Sequence, residues 1–269
     1  MSVSYSGHYP IERRVGEIER LHVQSAAMAP DTREMLDRIG VKDGWSCLDV
    51  GCGPGGITGL LSERVRPTGR VVGLDMDAQF LEQARARAPA NVEFRQGDAY
   101  RSGLAAGSFD LVHMRFIAST AGEPERLLQE AVRLARPGGI VAVQEPDATT
   151  LNCYPPHPAW DRLKTAYLGA FGAVGADIQL ARRLYALARQ AGLEDVQYRP
   201  FLIGVRSIDP MVDYLPSMIE SLRGTVVKFG LLTEAEIPRL LDACRAHLRN
   251  PEVTFTLYTV AQVWGRKAR

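Results

Sequence analysis

The sequence of 269 residues predicts an α/β fold: a seven-stranded, mostly parallel sheet with an antiparallel last strand and helices on both faces. Between Ser46 and Gln144, short apolar segments typical of strands alternate with helix-like segments. A glycine-rich turn follows the first strand directly, as in open sheets that bind ligands at their carboxyl edge. Residues 253–264 alternate strictly between polar and apolar, which is typical of an antiparallel strand.

Composition narrows the class of protein. The chain is 46% hydrophobic and 23% charged with a net charge of +1, and it has no lysine–arginine block, so we expect no nucleic-acid partner. No stretch approaches the roughly 20 apolar residues of a membrane span, and the first ten residues do not resemble a signal peptide. The four cysteines and five histidines are scattered. We therefore expect a cytoplasmic protein with no metal site and no membrane partner.

The first 44 residues are expected to form a helical lid. Residues 11–28 carry apolar side chains at helical spacing, and Pro30 should end this helix. Asp31 and Glu34 then form a capping box for a second helix that closes at Gly40.

These helices have two possible roles. They could simply pack against the sheet edge, or they could cover a cofactor, with Tyr9 contacting substrate and Gln24 contacting cofactor. The helical arm could also exchange between subunits of a homo-oligomer.

The segment SCLDVGCGPGG, residues 46–56, is the strongest indication of a binding site. Its glycines suit a ligand that lies directly on the main chain, where a Cβ would collide. Gly51, Gly53 and Gly56 satisfy the dinucleotide pattern G-x-G-x-x-G. Asp49, two residues before the first glycine, instead favours a cationic ligand, because a pyrophosphate gains nothing from a nearby carboxylate.

Two more acidic residues follow the next two predicted strands. Asp75 ends the strand 70–74, about twenty residues after the glycine turn, where a carboxylate can accept hydrogen bonds from ribose hydroxyls. Met76 could lie against an adenine face. Asp98 and Ala99 follow the third strand, residues 92–96. Because parallel strands end at one edge of a sheet, these acids and Asp49 should converge on one ligand.

The string Leu48-Asp49-Val50-Gly51-Cys52-Gly53-Pro54-Gly55 resembles the first motif of class I S-adenosylmethionine (SAM) dependent methyltransferases. Residues 134–139, LARPGG, resemble the turn before the fifth strand of that family. The resemblance covers residues 46–145 strongly and implies a Rossmann-like fold with SAM as cofactor and S-adenosylhomocysteine (SAH) as product. It also implies that Asp49 lies near the amino-acid end of SAM, that Asp98 binds the adenine amino group, and that the glycines, Gly55 included, admit methionine and ribose.

The whole chain, residues 1–269, is expected to form one domain. It consists of the lid at 1–44, a SAM-binding half at 45–145 and a substrate half at 146–269. Cap insertions are expected at about 146–176 and 207–250, the second ending in a helix capped by Thr233 and Glu236. The other elements are expected at 108–114 (strand), 123–135 (helix), 140–144 (strand), 177–191 (helix) and 196–203 (strand).

Methyl transfer from SAM is an in-line displacement that chiefly requires positioning and exclusion of water. A base is needed only for an acceptor that is a weak nucleophile. His113, Glu145 and His157 are the candidate catalytic residues, although a lone histidine on an apolar strand, such as His113, is more often a packing residue. The candidate substrate contacts are polar or aromatic residues near the same sheet edge: Tyr9, Arg115, Asp147, Tyr154, Trp160 and Phe171. Alternatively, Arg115 forms a local salt bridge to Glu130 or Glu145, Asp147 caps a loop and the aromatics pack cap against core.

The resemblance is greatest to methyltransferases of the ubiquinone/menaquinone-biosynthesis type and their relatives in secondary metabolism. It implies methyl transfer to a C, N or O atom of a small aromatic or isoprenoid-type metabolite. One alternative is an NAD-linked oxidoreductase, which would leave Asp49 and Asp98 unexplained. Another is a SAM-binding enzyme that couples or replaces methylation with cyclisation.

Overall fold

The computed structural model describes residues 17–269, and its main feature is the seven-stranded sheet. Its strands are β1 (Ser46–Val50), β2 (Arg70–Asp75), β3 (Val92–Gln96), β4 (Phe109–Arg115), β5 (Ala135–Asp147), β7 (Leu193–Phe201) and β10 (Thr259–Lys267). The order is β3-β2-β1-β4-β5-β10-β7, with β1 to β5 parallel and β10 antiparallel to both of its neighbours. The predicted fold class is confirmed.

Helices and a smaller sheet complete the fold. The helices are α1 (Glu17–Ile39), α2 (Gly56–Val65), α3 (Ala78–Arg85), α4 (Ala118–Ala121), α5 (Pro124–Leu134), α6 (Pro158–Ala173), α7 (Ala181–Gln190), α8 (Tyr214–Ser221), α9 (Arg223–Lys228) and α10 (Glu236–Leu248). The smaller sheet is antiparallel and consists of β6 (Asn152–Tyr154), β9 (Thr254–Thr256) and β8 (Gly204–Arg206), in that order. Within residues 17–269, no helix combines the length and apolar character needed to cross a membrane.

Helices cover both faces of the central strands, so these strands are almost continuously apolar. Successive side chains of β1 alternate between two cores. Leu48 packs with residues of α5 and α7 on one face, and Cys47 packs with residues of α1 and α2 on the other. The strand order reverses between β1 and β4, and ligands bind open α/β sheets at the carboxyl end of such a reversal.

The prediction of two N-terminal helices was wrong, because α1 continues through Pro30. Met28 and Met35, on either side of the proline, are both fully buried, and this packing offsets the roughly 3 kcal/mol that an interior proline costs. Asp31 and Glu34 do not form a capping box; both carboxylates accept hydrogen bonds from Arg199, at 2.9 and 2.6 Å. Residues 1–16, including Tyr9 and the predicted helix start at residue 11, lie outside the described residues.

The segment predicted as the first cap insertion contains more regular structure than the sequence indicated. Helix α6, of 16 residues, occupies most of the segment 146–176. It packs with α8, α10 and the smaller sheet into a second core that includes Trp160, Leu215 and Phe255. The predicted capping box of the second insertion is present: the Thr233 backbone N–H and hydroxyl both bond a Glu236 carboxylate oxygen at 2.8 Å.

The predicted last strand, 253–264, is two strands in different sheets. β9 joins the smaller sheet and β10 joins the large one, and the backbone N–H of Leu257 in the link between them donates to the Ile203 carbonyl at 2.9 Å. This link brings the next residue, Tyr258, to the site described below.

Candidate functional site

A crevice of about 910 Å³ opens at the carboxyl edge of the sheet. The glycine turn after β1 and the ends of β2 and β3 line one half of it. The other half is lined from α1, α6, α8 and the link before β10. The first half contains most of the residues that the sequence predicted, and the second contains most of those that it missed.

The glycine turn offers bare backbone to this crevice. Gly51 has φ +68°, and a Cβ there would lie 2.7 Å from Cδ1 of Ile117, so this position requires glycine. At Gly53, with φ +52°, a Cβ would meet no heavy atom within 4 Å, because the residue faces open space. Gly55 differs from the prediction: it does not line the crevice, and its Cβ would lie 3.1 Å from Oγ1 of Thr58 and 3.3 Å from Phe94.

The three predicted acids line this one crevice. Asp75 also holds the turn in place, since one carboxylate oxygen accepts from the Gly53 N–H at 2.8 Å and the other from the Asp77 N–H at 2.9 Å. Burial raises the pKa of Asp75 above its usual range. Asp98 accepts from the Tyr100 N–H at 2.9 Å. Their neighbours Met76, which is 60% exposed, and Ala99 line the crevice too.

Asp49 is 2% exposed and is held by a buried histidine. Its Oδ1 lies 2.9 Å from Nδ1 of His113, whose Nε2 lies 2.9 Å from the side-chain nitrogen of Gln144. The Gln144 oxygen accepts from Thr32 at 3.3 Å and from Gln262 at 2.9 Å, which fixes the orientation of its amide. The amide nitrogen must donate to Nε2, so the hydrogen of a neutral His113 lies on Nδ1 and is donated to Asp49.

This arrangement corrects the expectation that His113 is a catalytic base. The histidine is fully buried, does not line the crevice and has both ring nitrogens engaged. Oδ2 of Asp49, in contrast, is buried with no hydrogen-bond partner within residues 17–269. A buried carboxylate oxygen without a donor fits a cationic ligand group.

Arg115 lines the crevice as predicted. One terminal nitrogen donates to the Ser25 hydroxyl at 3.0 Å, and the other is buried without a partner in the described part of the chain. Burial lowers the pKa of Arg115, while the nearby Asp49 carboxylate raises it. The alternative of a salt bridge to Glu130 or Glu145 is not observed, since Glu130 pairs with Arg133 at 2.7 Å and Glu145 accepts from backbone N–H groups.

Glu145 was predicted to be catalytic, but the structure places it outside the crevice lining. Its two carboxylate oxygens accept from the backbone N–H groups of Ala118 and Ser119, at 2.8 and 3.1 Å. Burial raises the pKa of Glu145 to about 7. The side chain ties the end of β5 to the start of α4.

Asp147 and His157 do not line the crevice either, because each is used locally. Asp147 forms an ion pair with Arg182 at 2.7 Å and accepts from the Thr149 N–H at 3.1 Å, which is the loop-capping alternative. His157 caps α6 by accepting from the Ala159 N–H at 3.2 Å. Its ring stacks on His247, with centroids 4.5 Å apart.

Of the remaining predicted contacts, some line the crevice and some do not. Phe171 lines the crevice, as does Gln24 of α1. Tyr154 is 71% exposed and Trp160 is 1% exposed against Phe255, and neither lines the crevice. Trp160 is displaced from the crevice because α6 and the smaller sheet form a core of their own, which takes up a side chain that a loop would have left facing the pocket.

The sequence reasoning missed several residues of the second half, of which Arg20, Phe116, Tyr167 and Tyr258 matter most. Phe116 has φ +59°, which is uncommon for a bulky residue, and its ring packs edge to face on Tyr258 with centroids 5.8 Å apart. Tyr258 accepts from the Gln24 amide at 2.5 Å. Its proximity to Gln24 depends on a contact 234 residues apart in sequence, which no local pattern reveals.

Comparison with known proteins agrees with this geometry. The sequence profile of a methyltransferase domain family matches residues 41–192. A trans-aconitate 2-methyltransferase from Azoarcus sp. is 32% identical over 80% of this chain and 81% of its own. A demethylmenaquinone methyltransferase from Lactococcus lactis is 38% identical over 44% of this chain.

Not all relatives are matched over their full length, and the structural likeness is confined to the fold. The chain spans about half the length of two curated relatives, 49% of the Lactococcus lactis enzyme and 46% of a 37.1 kDa protein from Streptomyces fradiae. Among solved structures, a Bacillus halodurans protein assigned as a methyltransferase superposes with a TM-score of 0.60 at 19% identity, covering 88% of this chain and 99% of its own.

Proposed function

This chain belongs to the methyltransferase domain family and is a SAM-dependent enzyme, and from that premise we propose that it methylates a small aromatic or isoprenoid-type metabolite held between the sheet edge and the cap helices. One observation carries the proposal. Asp49, Asp75 and Asp98, from the ends of three neighbouring strands, line one crevice together with the bare backbone of Gly53.

The lining fits the cofactor part by part. Oδ2 of Asp49 would receive the ammonium of the methionine moiety, and the free nitrogen of Arg115 its carboxylate. Asp75 would accept from the ribose hydroxyls with the lone pairs that Gly53 and Asp77 leave unused. Asp98 and the backbone of Ala99 would bind the adenine edge, and Met76 would cover its face. The positions of Gln24 and Ser25 suit the same amino-acid end.

Bound SAM supplies a methyl group already activated by its sulfonium. The residues of this chain contribute binding, orientation and exclusion of water, which together bring the acceptor atom in line with the methyl carbon. We assign no proton transfer to His113, Glu145 or His157, because the side chains of all three are engaged elsewhere. The acceptor is therefore one that reacts once it is positioned, or one deprotonated by another group of the crevice.

The walls of the second half support a substrate with an apolar body. Phe116, Phe171 and Met218 line it, and Ile178 and Pro146 lie among them. We also propose a cytoplasmic location, since all four cysteines are free, as expected in a reducing compartment. A role in secondary metabolism follows from the same substrate class and is part of the proposal.

Calorimetric titration with SAH and with NAD, followed by a screen of small aromatic and isoprenoid acceptors, tests the proposal. We expect SAH to bind and NAD to give no response, and product mass to rise by one methylene equivalent per transfer. NAD binding without SAH binding would refute the methyltransferase assignment. A product isomeric with its substrate would instead indicate cyclisation.

A further inference from the structure

Resting on the proposed methyl transfer, we propose that the substrate is an aromatic ring compound and not an isoprenoid chain, and that its ring packs on a continuous aromatic wall in the second half of the crevice. This aromatic wall consists of Phe116, Tyr258, Tyr214, Tyr167 and Phe171, all of which line the crevice. An isoprenoid chain would find apolar burial there but no ring-to-ring contacts.

Each ring of the aromatic wall packs on the next without a break. The ring centroids are 5.8 Å apart between Phe116 and Tyr258, 5.6 Å between Tyr258 and Tyr214, 6.4 Å between Tyr214 and Tyr167, and 5.2 Å between Tyr167 and Phe171. Neighbouring ring planes meet at 62–82°, so every contact is close to edge to face. Because ring edges carry positive and ring faces negative partial charge, a ligand ring can continue this packing.

Separate parts of the chain supply these rings to one surface. Tyr167 and Phe171 stand one turn apart on α6, and Tyr214 begins α8. Phe116 follows β4, and Tyr258 lies in the link before β10. All but Phe116 belong to the second core, so the aromatic wall is the crevice side of that core and is held in place from behind.

The hydroxyls of the three tyrosines are bonded along the aromatic wall. The Gln24 amide donates to the Tyr258 hydroxyl at 2.5 Å, and Tyr258 in turn donates to Tyr214. The Tyr214 hydroxyl lies 3.2 Å from that of Tyr167. Burial raises the pKa of Tyr214 and of Tyr258 well above the usual value for a phenol, so both stay neutral. The aromatic wall therefore offers a ligand its rings and not its hydroxyls.

The charges nearby argue against an ammonium group, which is the other ligand that aromatic side chains recognise. The positive charge of Arg20 acts on the hydroxyls of Tyr214 and Tyr258. The Arg115 guanidinium lies over the Phe116 ring, 5.8 Å from its centroid. Among residues 17–269, the crevice lining from α1, α6, α8 and the link before β10 contains no carboxylate that would balance these charges. A cation would be repelled here, whereas an uncharged ring would not.

The test uses the full chain loaded with SAH and three alcohols with the same number of carbon atoms: 2-naphthol, 2-decalol and geraniol. We expect 2-naphthol to bind about tenfold more tightly than either of the others, which corresponds to about 1.4 kcal/mol. Burial of apolar surface alone predicts the opposite order, because 2-naphthol has the smallest apolar surface of the three. Choline, a quaternary ammonium, should bind more weakly than 2-naphthol.

Four results would overturn the proposal. They are equal binding of the three alcohols, tighter binding of 2-decalol or geraniol, tighter binding of choline, and no binding of any probe at millimolar concentration. Tighter binding of geraniol would point to an isoprenoid substrate, and tighter binding of choline to an ammonium substrate.

Two variants test the aromatic wall itself, Phe171→Leu and Phe116→Leu, each of which removes one ring and keeps an apolar side chain. Each should reduce the preference for 2-naphthol over 2-decalol to about threefold or less, because an aromatic contact is lost. Affinity for 2-decalol should stay within about twofold, because leucine keeps most of the apolar surface. A merely structural role of the rings would instead weaken all probes equally. Phe229→Leu, at a phenylalanine that is 45% exposed and outside the crevice, is the matched control and should keep the wild-type preference.

SAH affinity, measured alongside, separates the two proposals. Failure of the wild-type protein to bind SAH would count against methyl transfer itself. SAH binding with an unchanged preference for 2-naphthol in both Phe171→Leu and Phe116→Leu, or with equal losses for all probes, would overturn only the substrate inference.

Discussion

Replacing His113 by leucine should weaken both the fold and SAH binding. Within residues 17–269, His113 is the hydrogen-bond partner of the Asp49 carboxylate, which is 2% exposed. Leucine has a similar volume but no donor, so the carboxylate would be left buried with neither oxygen bonded. Asparagine carries an N–H near the position of Nδ1 and should keep most of this bond.

The size of the effect follows from the burial of the carboxylate. A hydrogen bond to a charged group is worth about 1.5–3 kcal/mol, and breaking a fully buried charged pair costs about 3–5 kcal/mol. Because Asp49 borders the crevice, where water can reach a displaced carboxylate, we expect a loss of about 2–3 kcal/mol in the free energy of unfolding. For a chain of this length, each kcal/mol lowers the Tm by about 2–4 °C. His113→Leu should therefore melt roughly 4–12 °C below the wild type.

Because His113 positions the Asp49 carboxylate, His113→Leu should also lose SAH affinity. If Asp49 leaves its orientation, its contact with the ligand ammonium weakens, and about 1.4 kcal/mol of that contact corresponds to tenfold in Kd. Thermal unfolding with and without SAH, together with calorimetry, measures both effects. Gln144→Leu is the comparison: it removes the bond on the far side of the imidazole and leaves the His113–Asp49 bond in place, so it should lower the Tm while reducing SAH affinity less than His113→Leu does. Wild-type SAH affinity in His113→Leu, or equal losses in His113→Asn and His113→Leu, would refute the reasoning.

Three further changes have defined outcomes. Asp75→Ala should weaken SAH binding by about 1–3 kcal/mol in calorimetry, since the ribose loses a charged partner, and an unchanged Kd would contradict its role. Glu145 has its pKa raised by burial from 4.5 to about 7, so the folded state holds the proton longer than the unfolded one. The wild type should therefore lose stability relative to Glu145→Gln as pH rises from 4.5 to 7, by at most about 3 kcal/mol; a Tm difference independent of pH would refute this. Gly51→Ala should lower the Tm more than Gly53→Ala, because only the Cβ at position 51 collides, with Ile117 at 2.7 Å. Gly53→Ala should chiefly reduce SAH affinity, and an unchanged Kd would contradict a cofactor that lies on Gly53.

The cofactor half could be predicted from sequence because its geometry is local. Asp49 and Asp75 stand at fixed distances from a glycine turn and a strand end, and parallel strands carry such positions to one edge. Gly55 shows the limit of this reasoning. It belongs to the same motif, but its left-handed backbone begins α2 instead of facing the ligand.

The second half and the catalytic candidates could not be predicted in this way, because the surroundings of these residues depend on tertiary contacts. From sequence alone His113 could be catalytic or structural. Its structural role depends on Asp49 and Gln144, which two neighbouring strands place on either side of its ring. Trp160 was predicted to line the pocket, but α6, on which it lies, packs it into a separate core. A polar residue at a strand end or an aromatic residue in an insertion can belong either to the site or to the core, and only the neighbouring elements decide which.

The buried polar groups also explain why α1, despite its interior proline, can be held in one register. Thr32 of α1 donates to Gln144, and the Gln262 amide donates both to the Asp31 carbonyl and to Gln144. Any slip of α1 along the sheet would leave these buried groups unpaired, at about 1–3 kcal/mol each. The same Gln144 orients His113, which donates to Asp49. The register of α1 and the orientation of the predicted cofactor acid are therefore both linked to the amide of Gln144.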